Sequence, residues 1–316
     1  IFGDRDVDGI TAVTILYEAL ANLGIPVSWR IPAGDDPYGL SFEAVDAHAA
    51  EGGTLIITVD CGISNIKEVA YAAEKGIDVI IIDHHTPKEQ VPDAAVIINC
   101  KMPDAGYPNV HLSGCATAWK VITALRFGQL DMYKQQICLL NVRPVNDAFA
   151  VEAIHTVNLV ETARITETII PGMVSFSDTR LGRFLQGQQI FVWDKELQLK
   201  QLKKIFGKSV EFYVNDFRLE CAKFSPQLAE MSLLRLKSLS RIGKYNDTPM
   251  SELDGFFNIF ITLVQQAHNL YGEKEKSELQ LVALSLLADL MQLTGENRIL
   301  VKQGLAAINA APRAGL

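Results

Sequence analysis

Apolar runs that stop abruptly at acidic or histidine residues alternate along this chain with stretches whose apolar positions recur every three to four residues. The run Thr54-Leu55-Ile56-Ile57-Thr58-Val59 is continuous and β-branched, the pattern of a strand buried on both faces. Residues 78–82 and 95–98 repeat it, and 27–31 reads as a further short strand. Between them, Ile10, Val13, Tyr17 and Leu20 fall on one face of a helix over 10–22. Ser41 can cap a helix running to residue 50, another covers 65–75, and a further one runs from Ser113 to about residue 127. Strands alternating with helices predict an α/β fold with a doubly wound, mostly parallel sheet and right-handed crossovers. In such sheets ligands gather beyond the carboxyl ends of the strands.

The residues predicted at those ends carry the candidate chemistry. Asp4, Asp6 and Asp8 alternate ahead of Gly9, Asp60 follows the run 54–59, and Asp83-His84-His85 follow the run 78–82. Asp-x-Asp-x-Asp-Gly also opens a calcium-binding EF-hand loop, but that loop needs a glutamate at its twelfth position, here Ile15. An acidic surface turn, a helix cap at Asp60 and a polar turn at His84-His85 are each sufficient alone. Three acidic or histidine clusters at one sheet edge point instead to a site for hard divalent cations. Gly114, at the start of its helix, is open either to plain packing or to a phosphate held by free backbone N–H groups.

The chain has 316 residues, more than one domain usually holds, with 48% hydrophobic residues and a net charge of −8. That charge argues against a generic polyanion binder, although metal-binding carboxylates count as negative until ions are bound. Its cysteines, Cys61, Cys100, Cys115, Cys138 and Cys221, are scattered and odd in number, as expected of a reduced, cytoplasmic protein. Neither a signal peptide nor a membrane span is visible. The chain opens on a strand and closes just after a helix, so a piece of something longer is expected.

Gly3-Asp4-Arg5-Asp6-Val7-Asp8-Gly9, Val59-Asp60-Cys61-Gly62 and Asp83-His84-His85 resemble the first three motifs of the DHH phosphoesterases. Asp4, where other branches usually carry histidine, gives the closest resemblance to the RecJ-type single-stranded-DNA exonucleases. Tyr38-Gly39-Leu40, Ile97-Ile98-Asn99 and residues 114–120 resemble the same branch. Leu287-Ala288-Asp289-Leu290 and Gly295-Glu296-Asn297-Arg298, with Lys302-Gln303-Gly304-Leu305, resemble the fourth motif and its helix. The family's Gly-Thr before the fourth aspartate is replaced by Ser285-Leu286, the proline after it by Gln292, and Ala33-Gly34 stand where a basic residue usually follows Ile-Pro.

The resemblance implies two divalent cations, Mn²⁺ or Mg²⁺. Asp4 and Asp6 would hold one, Asp8, His84 and Asp289 the other, and Asp60 would bridge. Asp83 would hydrogen-bond a histidine, His85 would face the scissile phosphate, and Gly114 and Arg298 would contact substrate. The implied activity is 5′→3′ hydrolysis of single-stranded DNA to 5′-mononucleotides in DNA repair and recombination. The alternatives are a phosphodiesterase acting on short oligonucleotides or dinucleotides, and a replication scaffold that has lost its metals; retention of the motif acids and both histidines argues against the scaffold.

Residues 142–275 read as an insertion between the two halves, 1–141 and 276–316, of the DHH domain. The insertion resembles a DnaQ-like exonuclease fold, with a strand over 189–193, a helix over 195–206 and a last helix from Ser251. Its four acid positions align with Glu152, Ile154, Gln198 and Asp254. Two of these are not acids, so a degenerate module that packs or binds a protein partner is expected, with an unrelated α/β insertion as the alternative.

Overall fold

A computed structural model of the chain describes residues 1–240 and 249–316. In chain order the elements are β1 (Phe2–Gly3), α1 (Val7–Asn22), α2 (Phe42–Ala50), β2 (Leu55–Val59), α3 (Ile66–Glu74), β3 (Asp78–Ile82), β4 (Val96–Ile98) and α4 (Gly114–Gly128). There follow β5 (Ile137–Val145), β6 (Ala148–Val157), β7 (Val160–Ile169), α5 (Arg180–Leu185), β8 (Gln189–Val192), α6 (Lys195–Phe206) and β9 (Asn215–Asp216). The chain continues through α7 (Phe217–Phe224), α8 (Pro226–Ala229), α9 (Leu233–Leu239), α10 (Glu252–Ala267), α11 (Glu273–Ala288) and α12 (Gly295–Ala310). It divides into two compact units, one of Ile1–Arg126 with Tyr271–Leu316 and one of Phe127–Leu270.

In the first unit the sheet order is β1-β2-β3-β4, all parallel. Register aligns the last residues of the strands side by side: Gly3 pairs with Val59, Val59 with Ile82, and Ile82 with Ile98. The next residues are Asp4, Asp60, Asp83 and Asn99, so the sheet itself sets a row of polar groups along one edge. Helices cover both faces. Val59 and Ile82 pack among residues of α1, α4, α11 and α12, while Ile56, Val79 and Ile81 pack among residues of α2 and α3.

Two expectations are corrected here. The strand expected over 27–31 is a single bridge from Arg30 to Phe2, because Trp29 is exposed and Val27 only partly buried, which leaves the segment little to anchor it. Helix α1 begins at Val7, three residues earlier than expected, and its buried face is Ala12, Ile15, Leu16 and Ala19 flanked by Val13 and Leu20. Ile10 and Tyr17 are exposed, since the small alanines define the side that can approach α11 closely.

The second unit has a five-stranded sheet of order β7-β6-β5-β8-β9. Strands β5, β6 and β7 are antiparallel, and β8 and β9 run parallel to β5. Leu139 and Ile154 face a core with α7, α9 and α10, while Leu140, Val142, Val151 and Ala153 face one with α5 and α6. The expected boundary at residue 142 would cut β5, whose every residue from Ile137 to Val145 is registered against β6. The break therefore falls at Phe127, and at Leu270 rather than 275.

Candidate metal centre

Asp4 follows β1 directly, and Asp6 caps α1 by accepting a hydrogen bond from Gly9 N at 2.9 Å. Asp8 lies in the first helical turn, so the three acids leave the extended alternation and spread around the turn into the helix. A Cβ on Gly9 would sit 2.4 Å from Asp4 O, so only glycine lets α1 start this close to the strand end. Asp60 adopts a left-handed φ of 57° at the end of β2. His84 follows β3, and Asp289 caps the C-terminus of α11.

These side chains meet. His84 Nε2 lies 3.1 Å from Asp60 Oδ1 and 3.6 Å from both Asp8 Oδ2 and Asp289 Oδ2. Among the described residues, the groups close enough to share an ion are Asp4/Asp6/Asp60, Asp8/His84/Asp289 and Asp60/His84/His85. Asp4, Asp8, Asp60 and His84 are buried. Asp4 Oδ1, Asp60 Oδ1 and Asp289 Oδ2 are buried without hydrogen-bond partners, which is costly unless a cation meets these lone pairs. Burial, then the charges of Asp8 and Asp6, push Asp60 up to about 10. Burial also raises Asp4 and Asp289, with Asp6 adding at Asp4 and Asp8 at Asp289. Oxygen-rich ligands with one imidazole suit a hard or borderline divalent ion.

Asp83 is fully buried and acts differently. Its Oδ2 accepts from Ile63 N at 2.9 Å, and its Oδ1 accepts from His84 N at 2.7 Å, His85 N at 3.1 Å and His85 Nδ1 at 2.8 Å. Burial works to raise Asp83, but the hydrogen bonds from His85 and Ile63 outweigh it and hold the carboxyl below its ordinary range. The same bond from Asp83 raises His85. The histidine oriented by Asp83 is thus His85, half exposed at the mouth of the site, and not His84.

Two contacts escaped the sequence reading. Tyr38 Oη donates to Asp60 O at 3.2 Å and lies 3.4 Å from His85 Nδ1. Arg5, between two of the candidate ligands, sends Nη1 to Gly34 O at 2.7 Å and Nη2 to Asp36 O at 2.9 Å. Its guanidinium thereby enters the loop where a basic residue was missed after Pro32; an arginine inside an acidic motif was the available signal.

The expected phosphate site at Gly114 is corrected. Gly114 N and Cys115 N, the free donors at the start of α4, both donate to Asp8 at 2.7 Å. The anion at this helix N-terminus is a carboxylate of the protein itself. Arg298 is exposed on α12, in a cleft lined with Leu293, Val301 and Lys302 and by none of the candidate metal ligands.

In the second unit, the four aligned positions form no ion-holding group among the described residues. Gln198 is buried, and its Oε1 accepts from Val142 N at 2.7 Å. Glu152 faces Arg143 at 3.6 Å. Asp254 completes the capping box of α10 and pairs with Arg164 at 2.6 Å. Ile154 is a core residue.

Residues 1–141 match the DHH family, N-terminal domain. The chain is 41% identical over 128 residues to the single-stranded-DNA-specific exonuclease RecJ of Salmonella typhimurium, covering 40% of this chain and 22% of the relative. It is 39% identical over 126 residues to RecJ of Bacillus subtilis, covering 40% and 16%. The chain thus spans about a fifth of the length of the curated relatives it matches. A solved structure of RecJ in complex with Mn²⁺ from Thermus thermophilus is 36% identical, covers 40% of this chain and 17% of that one, and has a TM-score of 0.33. Among the described residues, no helix is long and apolar enough to cross a membrane.

Proposed function

We propose that the first unit is the catalytic core of a metal-dependent 5′→3′ exonuclease that hydrolyses single-stranded DNA to 5′-mononucleotides. The observation that carries this reading is Asp60 Oδ1, a buried and unpartnered carboxylate oxygen 3.1 Å from His84 Nε2 among further acids. The similarity of residues 1–141 to single-stranded-DNA-specific exonucleases supplies the substrate class.

Asp4 and Asp6 would hold one divalent cation, Asp8, His84 and Asp289 the second, and Asp60 would serve both. The ions, Mn²⁺ or Mg²⁺, would supply an acidified water as nucleophile and offset charge on the phosphate. The rest falls to the chain. Asp83 accepts from His85 Nδ1 and favours the protonated ring, whose Nε2–H at the mouth is then free to donate to a non-bridging phosphate oxygen. Tyr38 closes one side of that ring, and Arg5 fixes the loop carrying Tyr38. Arg298 and Lys302, exposed a turn apart on α12, provide contacts to more distant phosphates. The second unit serves as a packing or partner-binding module. Five free, buried cysteines fit a cytoplasmic setting.

Degradation of end-labelled single strands in Mn²⁺ tests the reading. Asp60→Ala is expected to abolish it. Activity within about tenfold of the parent would overturn a two-ion site.

A further inference from the structure

Asp8 is the most heavily engaged carboxylate of the cluster. Its Oδ1 accepts from Cys115 N at 2.7 Å and from Ser285 Oγ at 2.6 Å, and its Oδ2 accepts from Gly114 N at 2.7 Å. Ser285 Oγ also meets Ser113 Oγ, which itself accepts from Ala116 N. Ser113 and Ser285 are fully buried, and Asp8 is 2% exposed. An ionised carboxylate only accepts, so the Ser285 proton points to Asp8 and the Ser113 proton to Ser285. The chain of donors has one direction, and each bond polarises the next.

Each carboxylate oxygen offers two lone pairs. Asp8 Oδ1 carries two of these bonds and Oδ2 one, so Oδ2, 3.6 Å from His84 Nε2, is the less engaged oxygen. We propose that Ser285 is a positioning residue that engages Asp8 Oδ1 against bidentate metal binding and leaves Oδ2 to face the ion, and so biases the centre toward small, six-coordinate ions and against Ca²⁺. Ca²⁺ accepts more oxygens, often both of one carboxylate, whereas Mg²⁺ demands six in near-ideal array. The inference rests on the metal reading of the same site.

Mn²⁺ binding by electron paramagnetic resonance, with Ca²⁺ as competitor, tests it without reference to turnover. For Ser285→Ala the Mn²⁺ Kd is expected to rise about tenfold or more, and the Ca²⁺-to-Mn²⁺ preference to move toward Ca²⁺. Ser285→Thr, which keeps the hydroxyl, is expected to restore the parent preference. If Ser285→Ala fails to fold, Ser285→Cys supplies a weak donor of similar shape for the same comparison. A parent that binds no Mn²⁺ would sink the metal reading and this inference with it. A parent that binds Mn²⁺, with Ser285→Ala matching it to within about twofold in affinity and unchanged in preference, would overturn the role of Ser285 alone.

Discussion

His84 Nε2 lies 3.1 Å from Asp60 Oδ1, yet the contact lacks hydrogen-bond geometry and leaves that oxygen without a partner. Two groups that could bond each other instead stand around a point that one ion could share. That arrangement costs stability in the protein alone and is offset when a cation occupies the point.

Chelation is therefore expected to expose a pH dependence. Asp60 moves from 3.8 in the unfolded chain to about 10 in the folded one, through burial and then Asp8 and Asp6. Between those values the folded state keeps a proton that the unfolded state has released, so stability falls as pH rises. In chelator, Tm should decline from about pH 5 to about pH 9, and Asp60→Asn should flatten the decline. Mn²⁺ displaces the proton, so the rise in Tm it produces should grow with pH. A Mn²⁺ shift that is constant across the range would show that no proton is displaced.

Gly114→Ala should damage the centre from outside its ligand set. The new Cβ would lie 2.6 Å from both Cβ and Oδ1 of Asp60. Overpacking of this kind costs about 1–3 kcal/mol. Gly128 lies at the other end of the same helix with nothing within 4 Å of its would-be Cβ, so Gly128→Ala is the control. Thermal melts and Mn²⁺ titration should separate the two variants. Equal behaviour would mean that α4 has room to move away from Asp60.

All nuclease activity should reside in the first unit. Replacing His84 and His85 together by alanine is expected to leave no metal-dependent digestion from either end of a labelled strand. Glu152→Ala and Asp254→Ala should each leave the parent rate unchanged. Residual 3′→5′ digestion in the histidine double variant, suppressed by either acid substitution, would reveal a second working site.

Most of the side chains that meet in this cluster were legible as neighbours because a parallel sheet delivers its strand ends to one edge. Asp60 and His84 terminate unmistakable apolar runs, and the register of Val59 against Ile82 does the rest. Asp289 was readable only through resemblance, since an aspartate ending a helix carries no distinctive local pattern. Gly114 misled because a glycine before a helix signals an anion without saying whose; the anion was Asp8, more than a hundred residues earlier in the chain. Ser285 was invisible as a donor, because a serine within a helix reads the same whether it faces solvent or a carboxylate. In the second unit, β5 was cut by the expected boundary because its apolar start at Ile137 follows α4 with little punctuation.

Arg126, where the chain leaves the first unit, pairs with Glu275 at 2.9 Å and with Glu278, just after the chain returns. Exit and re-entry are clasped together, so the intervening segment closes a loop whose ends meet whatever its length. Closing such a loop costs only about 0.6 kcal/mol more for each doubling of its length. A segment joined this way can be gained, exchanged or shed during evolution with little thermodynamic penalty to its host. Arg126 and the two glutamates thus mark a splice point, where a short flexible bridge in place of residues 127–270 is expected to leave the first unit able to fold.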